Sequence, residues 1–210
     1  MALACVCTLG SCEDFLNVNP KGEVFDQDMF TSAEGYEDAL YGIYAELGTT
    51  QYLYSDYMVW APEVMGINLQ SSSLDLTNVS MGLWEAYGAP GLRKGIWSAA
   101  YKTINHINNI LGYIERNGDD QFQYSKLYKG EALALRAMLH FDMMRLYGPP
   151  AWADAQAKAK VIPYVTKYAF DITPFSSYED VYKYIIADLE EAEKCLAADA
   201  TLLPAVRTNA

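Results

Sequence analysis

Residues 130–150 read GEALALRAMLHFDMMRLYGPP, a stretch that ends in a Gly-Pro-Pro stop. Small and apolar residues recur through it at helical spacing, and proline cannot continue a helix, so we predict a helix over 124–147. A second helix is predicted over 92–116. One side of it carries Trp97, Tyr101, Ile104, Asn108 and Leu111. Because only a short polar break separates the two helices, we expect them to form an antiparallel hairpin.

The segments before this hairpin are also predicted to be mostly helical. A helix over 32–48 is capped by Ser32, and another over 51–67 is interrupted by Pro62. Residues 12–31 are predicted to form an extended arm. The chain therefore has the pattern of an all-α fold, built from stacked antiparallel helical hairpins with long irregular loops.

After the hairpin, residues 151–176 are predicted to form a loop. Within it we expect a short exposed helix over 151–160 and an extended stretch over 162–165. A fifth helix follows, capped by Ser176 or Ser177. Its predicted apolar side consists of Val181, Tyr184, Ile185, Ala187, Leu189, Ala192 and Leu196. The acidic run over 188–193 is predicted to be a solvated face.

Composition and charge exclude several classes of function. The 210 residues carry 27 acidic against 15 basic side chains, a net charge of −12. Binding to nucleic acid depends on Lys and Arg, so this balance argues against it and equally against adsorption to anionic lipid. No apolar run approaches the ~20 residues that span a bilayer. The 17 tyrosines and 4 tryptophans suit both helix packing and sugar binding.

The N-terminus is similar to a bacterial lipoprotein signal. Residues 1–11 are small or apolar, and the stretch Leu9-Gly10-Ser11-Cys12 at their end resembles a lipobox. Two acidic residues follow Cys12 directly. We therefore expect residues 1–11 to be a signal peptide and Cys12 to carry lipid, which anchors a protein without spanning the membrane. Since no Lys or Arg precedes the short apolar run, the signal is either incomplete or degenerate. The alternative is an N-terminal tail with incidental cysteines.

Three segments carry a further resemblance, namely the Ser11–Leu16 stretch with Asn19-Pro20, the Trp97–Leu111 pattern, and the stretch over 130–150. Together they resemble the SusD/RagB family of outer-membrane nutrient-binding lipoproteins. The resemblance implies a tetratricopeptide-like scaffold on a lipid anchor at the cell surface. It also implies that the protein binds an oligosaccharide or another nutrient, sometimes a peptide, and delivers this ligand to a SusC-like TonB-dependent outer-membrane barrel. Family members are longer, so residues 32–210 are expected to be an N-terminal portion that is truncated at its C-terminus.

The most promising candidate ligand site lies in the loop over 68–92, which is rich in Gly, Ser and Asn. Trp84 and Tyr87 could stack on sugar rings there, and Asn78 and Asp75 could bond to hydroxyls. The alternative is that Trp84 plugs the scaffold. An alternative for the whole chain is a tetratricopeptide-like scaffold for protein interaction, without a small-molecule ligand.

The remaining singled-out residues are predicted to be structural. Trp60 and Trp97 lie on helical stripes, and Asn108 is expected to be a core amide that bonds the backbone of a neighbouring helix. Glu131 and Arg136 are expected to pair with charges on other helices. His106 and His140 have no ligand-like neighbours, so we predict no metal site and no cofactor. No catalytic motif is present, and we predict that the protein is not an enzyme.

Overall fold

The computed structural model describes residues 26–49, 53–54, 90–148, 158–169 and 171–197. These residues form helices packed antiparallel and one small sheet, which confirms the predicted helical hairpin fold. None of the helices in these ranges is both long and apolar enough to cross a lipid bilayer. In chain order, the elements are α1 (Asp26–Met29), α2 (Ala33–Thr49), α3 (Pro90–Asn117), α4 (Ser125–Tyr147), β1 (Lys160–Pro163), β2 (Phe175–Ser177) and α5 (Tyr178–Ala197).

The hairpin of α3 and α4 forms the centre of the structure. Helix α3 ends where Gly118 takes a φ of +93°, a left-handed conformation that glycine adopts without strain, and its N–H donates to the Ile114 carbonyl at 2.9 Å. Apolar residues three or four positions apart on both helices are buried between them. They include Ile96, Ala100, Ile104, Ile107, Leu135, Leu139 and Met143. Each large aliphatic side chain buried here stabilises the fold by ~1.5–3 kcal/mol.

Helix α3 begins two residues earlier than predicted. Pro90 and Gly91, which the sequence placed in a loop, lie in its first turn. Proline is well suited to the first helical position, because its fixed φ matches the helix and its missing N–H would have no partner there. Leu92 lies in this helix as well, whereas residues 68–89 of the predicted loop are outside the described residues, as is most of the predicted helix over 51–67. Leu53 and Tyr54, which are described, form a turn instead of a helix.

The predicted cap of α2 is confirmed, since the Gly35 N–H donates to Ser32 Oγ at 3.2 Å. The extended arm predicted over 12–31 is wrong for Asp26–Met29, which form a single helical turn. The physical reason is the buried Phe30 ring, whose centroid lies 4.3 Å from that of Tyr113. Anchoring this ring against α3 forces the chain to turn before α2 begins. Residues 1–25 lie outside the described residues.

A two-stranded antiparallel sheet connects α4 to α5. The predicted extended stretch is confirmed at Ile162 and Pro163 of β1, whereas β2 was not predicted. The strands pair Ile162 with Ser176 and Pro163 with Phe175. Lys160 lies in β1, so the helix predicted over 151–160 is wrong at that residue. The side chain of Ile162 is fully buried.

Helix α5 packs along α4. The predicted cap is confirmed at Ser177, whose Oγ accepts from the Asp180 N–H at 3.1 Å. The predicted apolar side is wrong for Tyr184, Ala187 and Leu189, which are exposed. Alternating steps of four and three residues from Val181 define the face that meets α4. The residues buried on that face are Val181, Ile185, Asp188, Ala192 and Cys195.

Candidate functional site

A buried ion pair joins α4 to α5. Arg136 donates from Nε and Nη2 to the two carboxylate oxygens of Asp188, both at 2.7 Å. The two side chains are only 9% and 12% exposed. The expected pairing of Arg136 with another helix is therefore confirmed. The prediction that the whole run over 188–193 is solvated is wrong for Asp188, because this bidentate partner compensates its buried charge.

Asn108 extends the ion pair to α3. Its Oδ1 accepts from Arg136 Nη1 at 2.9 Å, and its Nδ2 donates to the Val165 carbonyl at 2.9 Å. The prediction of a satisfied core amide is confirmed. The expected partner was wrong, however, since the amide bonds the segment after β1 and not a helix backbone. Both ends of this buried amide are thus hydrogen-bonded, as burial requires.

Arg136, Asp188 and Asn108 form a polar network that also positions the segment after β1. The Tyr164 hydroxyl donates to Asp188 Oδ2 at 2.5 Å. Burial, reinforced by this carboxylate, raises the pKa of Tyr164 well above its usual value. Arg136 Nη1 also reaches the Thr166 carbonyl at 3.5 Å. Three helices therefore determine where residues 164–166 lie.

His140 completes the network from α4. Its Nδ1 lies 2.9 Å from the Arg136 carbonyl, and its Nε2 accepts from the Val165 N–H at 3.0 Å. A carbonyl can only accept, so the network assigns the proton to Nδ1. Burial lowers the pKa of His140 to about 4, which keeps the ring neutral near pH 7. The Tyr164 ring stacks on it at 3.9 Å.

Both histidines have the structural or surface roles predicted for them. His106 lies exposed on α3, with its Nδ1 3.1 Å from a carboxylate oxygen of Glu46 on α2. In the described ranges, no group of three or more His, Cys, Asp and Glu side chains could bind a metal ion.

An open cleft of about 1020 Å³ lies beside the polar network. We call it the α3–α4 cleft. It is formed by the C-terminal half of α3, the N-terminal half of α4 and residues 166–168. Arg136 contributes to its wall, so the buried ion pair and the cleft share a residue. The cleft presents hydrogen-bonding side chains together with the ring of Tyr168, a combination that can bind a polar ligand with an apolar face.

Two further cations of the cleft have partners. Lys129 Nζ lies 3.4 Å from Asp119 Oδ2 and 3.1 Å from Glu191 Oε1, which links the cleft to α5. The guanidinium of Arg116 lies 4.0 Å from the centroid of the Tyr113 ring. These contacts fix charged groups at the rim of the cleft.

The ligand group predicted from the sequence lies elsewhere in the chain. Asp75, Asn78, Trp84 and Tyr87 are outside the described residues, as is the expected lipidation site Cys12. Their assignment stays a prediction. Trp60 is also outside the described residues.

Trp97, which the sequence placed in the core, is half-buried. It packs against Tyr101 at 4.6 Å and edge-on against Tyr147 at 4.9 Å between ring centroids. Sequence reasoning missed the contributions of Tyr164, Tyr168 and Asp188. A signal for Asp188 was present, because it falls seven residues after Val181 on the buried stripe of α5.

Comparison with known proteins identifies the relatives of this chain. A SusD-like family model, described as "Starch-binding associating with outer membrane", matches residues 14–210. The SusD-like protein P38 of Formosa agariphila is 29% identical over 195 residues, which cover 90% of this chain and 35% of the relative. A SusD-like protein of Bacteroides ovatus is 25% identical, covering 87% of this chain and 32% of the relative. The chain thus spans about a third of the length of these relatives.

A solved structure shows the same helical arrangement. It is described as a SusD-like carbohydrate binding protein from Bacteroides vulgatus. It matches with a TM-score of 0.64 and 28% identity, and the match covers 77% of this chain and 35% of that one.

Proposed function

Because the chain belongs to the SusD-like family, we propose that it binds a glycan at the outer membrane and catalyses no reaction on it. The family match along residues 14–210 is the observation that carries this proposal. The α3–α4 hairpin and the polar network supply a rigid scaffold of the kind that positions binding residues. Starch-type glucans are the first ligands to test, since the family model is described as starch-binding.

The proposed ligand group is the one that the loop composition predicts. Trp84 and Tyr87 would stack on the apolar faces of sugar rings, while Asn78 and Asp75 would bond to hydroxyl groups. Aromatic rings supply a large apolar contact, and the polar groups set the orientation of the ligand. The polar, glycine-rich composition of residues 68–89, which predicts a long irregular loop, supports this assignment, because such loops in compact domains are often functional.

Isothermal titration calorimetry with malto-oligosaccharides tests the assignment. Trp84→Ala should weaken binding roughly tenfold or more, equivalent to ~1.4 kcal/mol. Trp97→Phe is the matched control, because it also removes an indole but keeps a ring packed against Tyr101 and Tyr147. Its affinity should equal that of the unmodified protein. An unchanged affinity in Trp84→Ala would exclude this residue from the site.

Delivery to a transporter is the second part of the proposal. The chain would sit on a SusC-like TonB-dependent barrel, anchored to the outer membrane through lipid on Cys12 and exposed at the cell surface. Membership of a family described as associating with the outer membrane supports this location. Affinity purification from outer-membrane extracts should recover a barrel of this class. Metabolic labelling with a palmitate analogue should mark the protein and fail to mark Cys12→Ser.

A second candidate function is a protein-interaction scaffold without a small-molecule ligand. The observation that favours it is the outer face of α5, where several large apolar side chains are exposed. They are Tyr182, Ile186 and Leu189. Exposed apolar patches commonly mark protein contacts. Recovery of a protein partner, without binding to any oligosaccharide, would favour this function over glycan capture.

A further inference from the structure

We infer that the α3–α4 cleft is a second glycan-contact surface, and that it takes an uncharged sugar chain on the ring of Tyr168. This inference rests on the proposed function, because it presumes that the ligand is a glycan. It adds a site that is separate in sequence from the predicted ligand group of Asp75, Asn78, Trp84 and Tyr87. It also commits to the charge of the ligand.

The position of Tyr168 supports a stacking role. The side chain lines the cleft and is 47% exposed. Among the described residues, its ring and hydroxyl have no hydrogen-bond or ring partner. A large ring exposed beside hydrogen-bonding groups provides the mixed surface that sugars require, with an apolar face for C–H groups and polar neighbours for hydroxyls.

The polar network makes this surface rigid. Val165 is bonded through its N–H to His140 and through its carbonyl to Asn108, and Arg136 reaches the carbonyl of Thr166. These contacts precede Tyr168 by only two or three residues. The ring is therefore presented from an anchored segment, so less conformational entropy is lost when a ligand orders it.

The charges around the cleft favour an uncharged ligand. The cleft is lined by four cationic side chains, namely Arg116, Lys129, Arg136 and Lys167. Four carboxylates face or pair with them. They are the lining residues Glu115 and Asp119 and the ion-pair partners Asp188 and Glu191. Glu191 is shared with Lys194 at 3.6 Å, so the five cations of this cluster exceed its four carboxylates by one. Arg136 and Lys129 are nevertheless already paired with carboxylates, and the net charge of −12 on the whole chain opposes the approach of an acidic sugar.

Titration of the full chain tests the inference, with maltoheptaose as the neutral probe and an oligogalacturonate of equal length as the acidic probe. Tyr168→Ala should weaken maltoheptaose binding about fivefold or more, as expected for the loss of one aromatic contact. Tyr41→Ala is the matched control, because this tyrosine is also exposed but lies on α2, outside the cleft. Its affinity should be unchanged. Hydrogen–deuterium exchange of the unmodified protein gives an independent measurement, and residues 164–168 should become protected when maltoheptaose is saturating.

The outcomes separate this inference from the proposed function. If the unmodified chain binds maltoheptaose while Tyr168→Ala binds equally and residues 164–168 gain no protection, the cleft assignment is overturned and glycan binding stands. Tighter binding of the oligogalacturonate would overturn the assignment of an uncharged ligand. If the unmodified chain binds no oligosaccharide, the proposed function fails and this inference fails with it.

Discussion

Removing one member of the Arg136–Asp188 pair should destabilise the fold strongly. Asp188→Asn takes away the carboxylate that receives two 2.7 Å bonds from the guanidinium. The arginine would then remain charged in a site where its side chain is only 9% exposed. Breaking a buried pair in this way costs ~3–5 kcal/mol, because an uncompensated charge stays behind. Asp188 also accepts from Tyr164, which argues for the upper part of this range.

Urea unfolding followed by circular dichroism measures this cost directly. For a domain of this size, 3–5 kcal/mol corresponds to a decrease in Tm of roughly 6–20 °C. Glu179→Gln is the matched control on the same helix, since it breaks the exposed Glu179–Lys183 pair, whose side chains are 55% and 64% exposed. An exposed pair contributes ~0–1 kcal/mol, so that variant should unfold almost like the unmodified protein.

A double variant tests the reasoning further. Arg136→Met combined with Asp188→Leu removes both charges and should unfold at higher urea than either single variant, because no charge is left buried alone. A loss below ~1 kcal/mol in Asp188→Asn would refute the view that this pair organises the three helices. A double variant as unstable as the sum of the single variants would refute it equally.

Two further predictions concern pH and backbone contact. The folded-state pKa of His140, about 4, lies below the ordinary 6.5, so the neutral ring stabilises the fold fully above pH 6.5 and this contribution is lost as the pH falls toward 4. The loss in the free energy of unfolding amounts to ~3 kcal/mol. In His140→Gln, the difference between the free energies of unfolding in urea at pH 7 and at pH 4.5 should therefore be smaller. An equal difference in both proteins would contradict this role of His140. Gly35→Ala should lower Tm sharply, because a Cβ there would lie 1.6 Å from the Met29 carbonyl oxygen. In the same helix, a Cβ at Gly42 would meet no atom within 4 Å, so Gly42→Ala should stabilise the fold by ~0.5–1 kcal/mol. Equal Tm values for these two variants would contradict the contact between α1 and α2.

The long central hairpin was the most predictable part of the fold. Its apolar residues recur over many turns. Gly118 follows the end of α3, and the Gly148-Pro149-Pro150 stop follows the end of α4, whose two ends were predicted to within one residue. The caps at Ser32 and Ser177 were predictable for a similar reason, because a hydroxyl before an acidic first turn is a local signal. These features depend on neighbours in sequence.

The polar network and the cleft depend instead on contacts between distant residues. The Arg136–Asp188 pair joins residues 52 positions apart, and the Asn108–Val165 bond joins residues 57 apart. Local charge patterning therefore placed Asp188 in solvent together with Glu190 and Glu193, which are exposed. Strand β2 was missed because three residues carry too little periodicity to be distinguished from a loop. The position of Tyr168 could not be predicted, since it follows from how the network holds residues 164–166.

Native affinity electrophoresis through polysaccharide-containing gels examines the proposed glycan binding of this chain without the need to choose one oligosaccharide in advance. The purified protein should migrate more slowly in a gel containing starch, or another neutral polysaccharide, than in the same gel without it. If its mobility is unchanged in every polysaccharide tested, while circular dichroism shows that the protein is folded, then the chain does not bind a glycan as proposed.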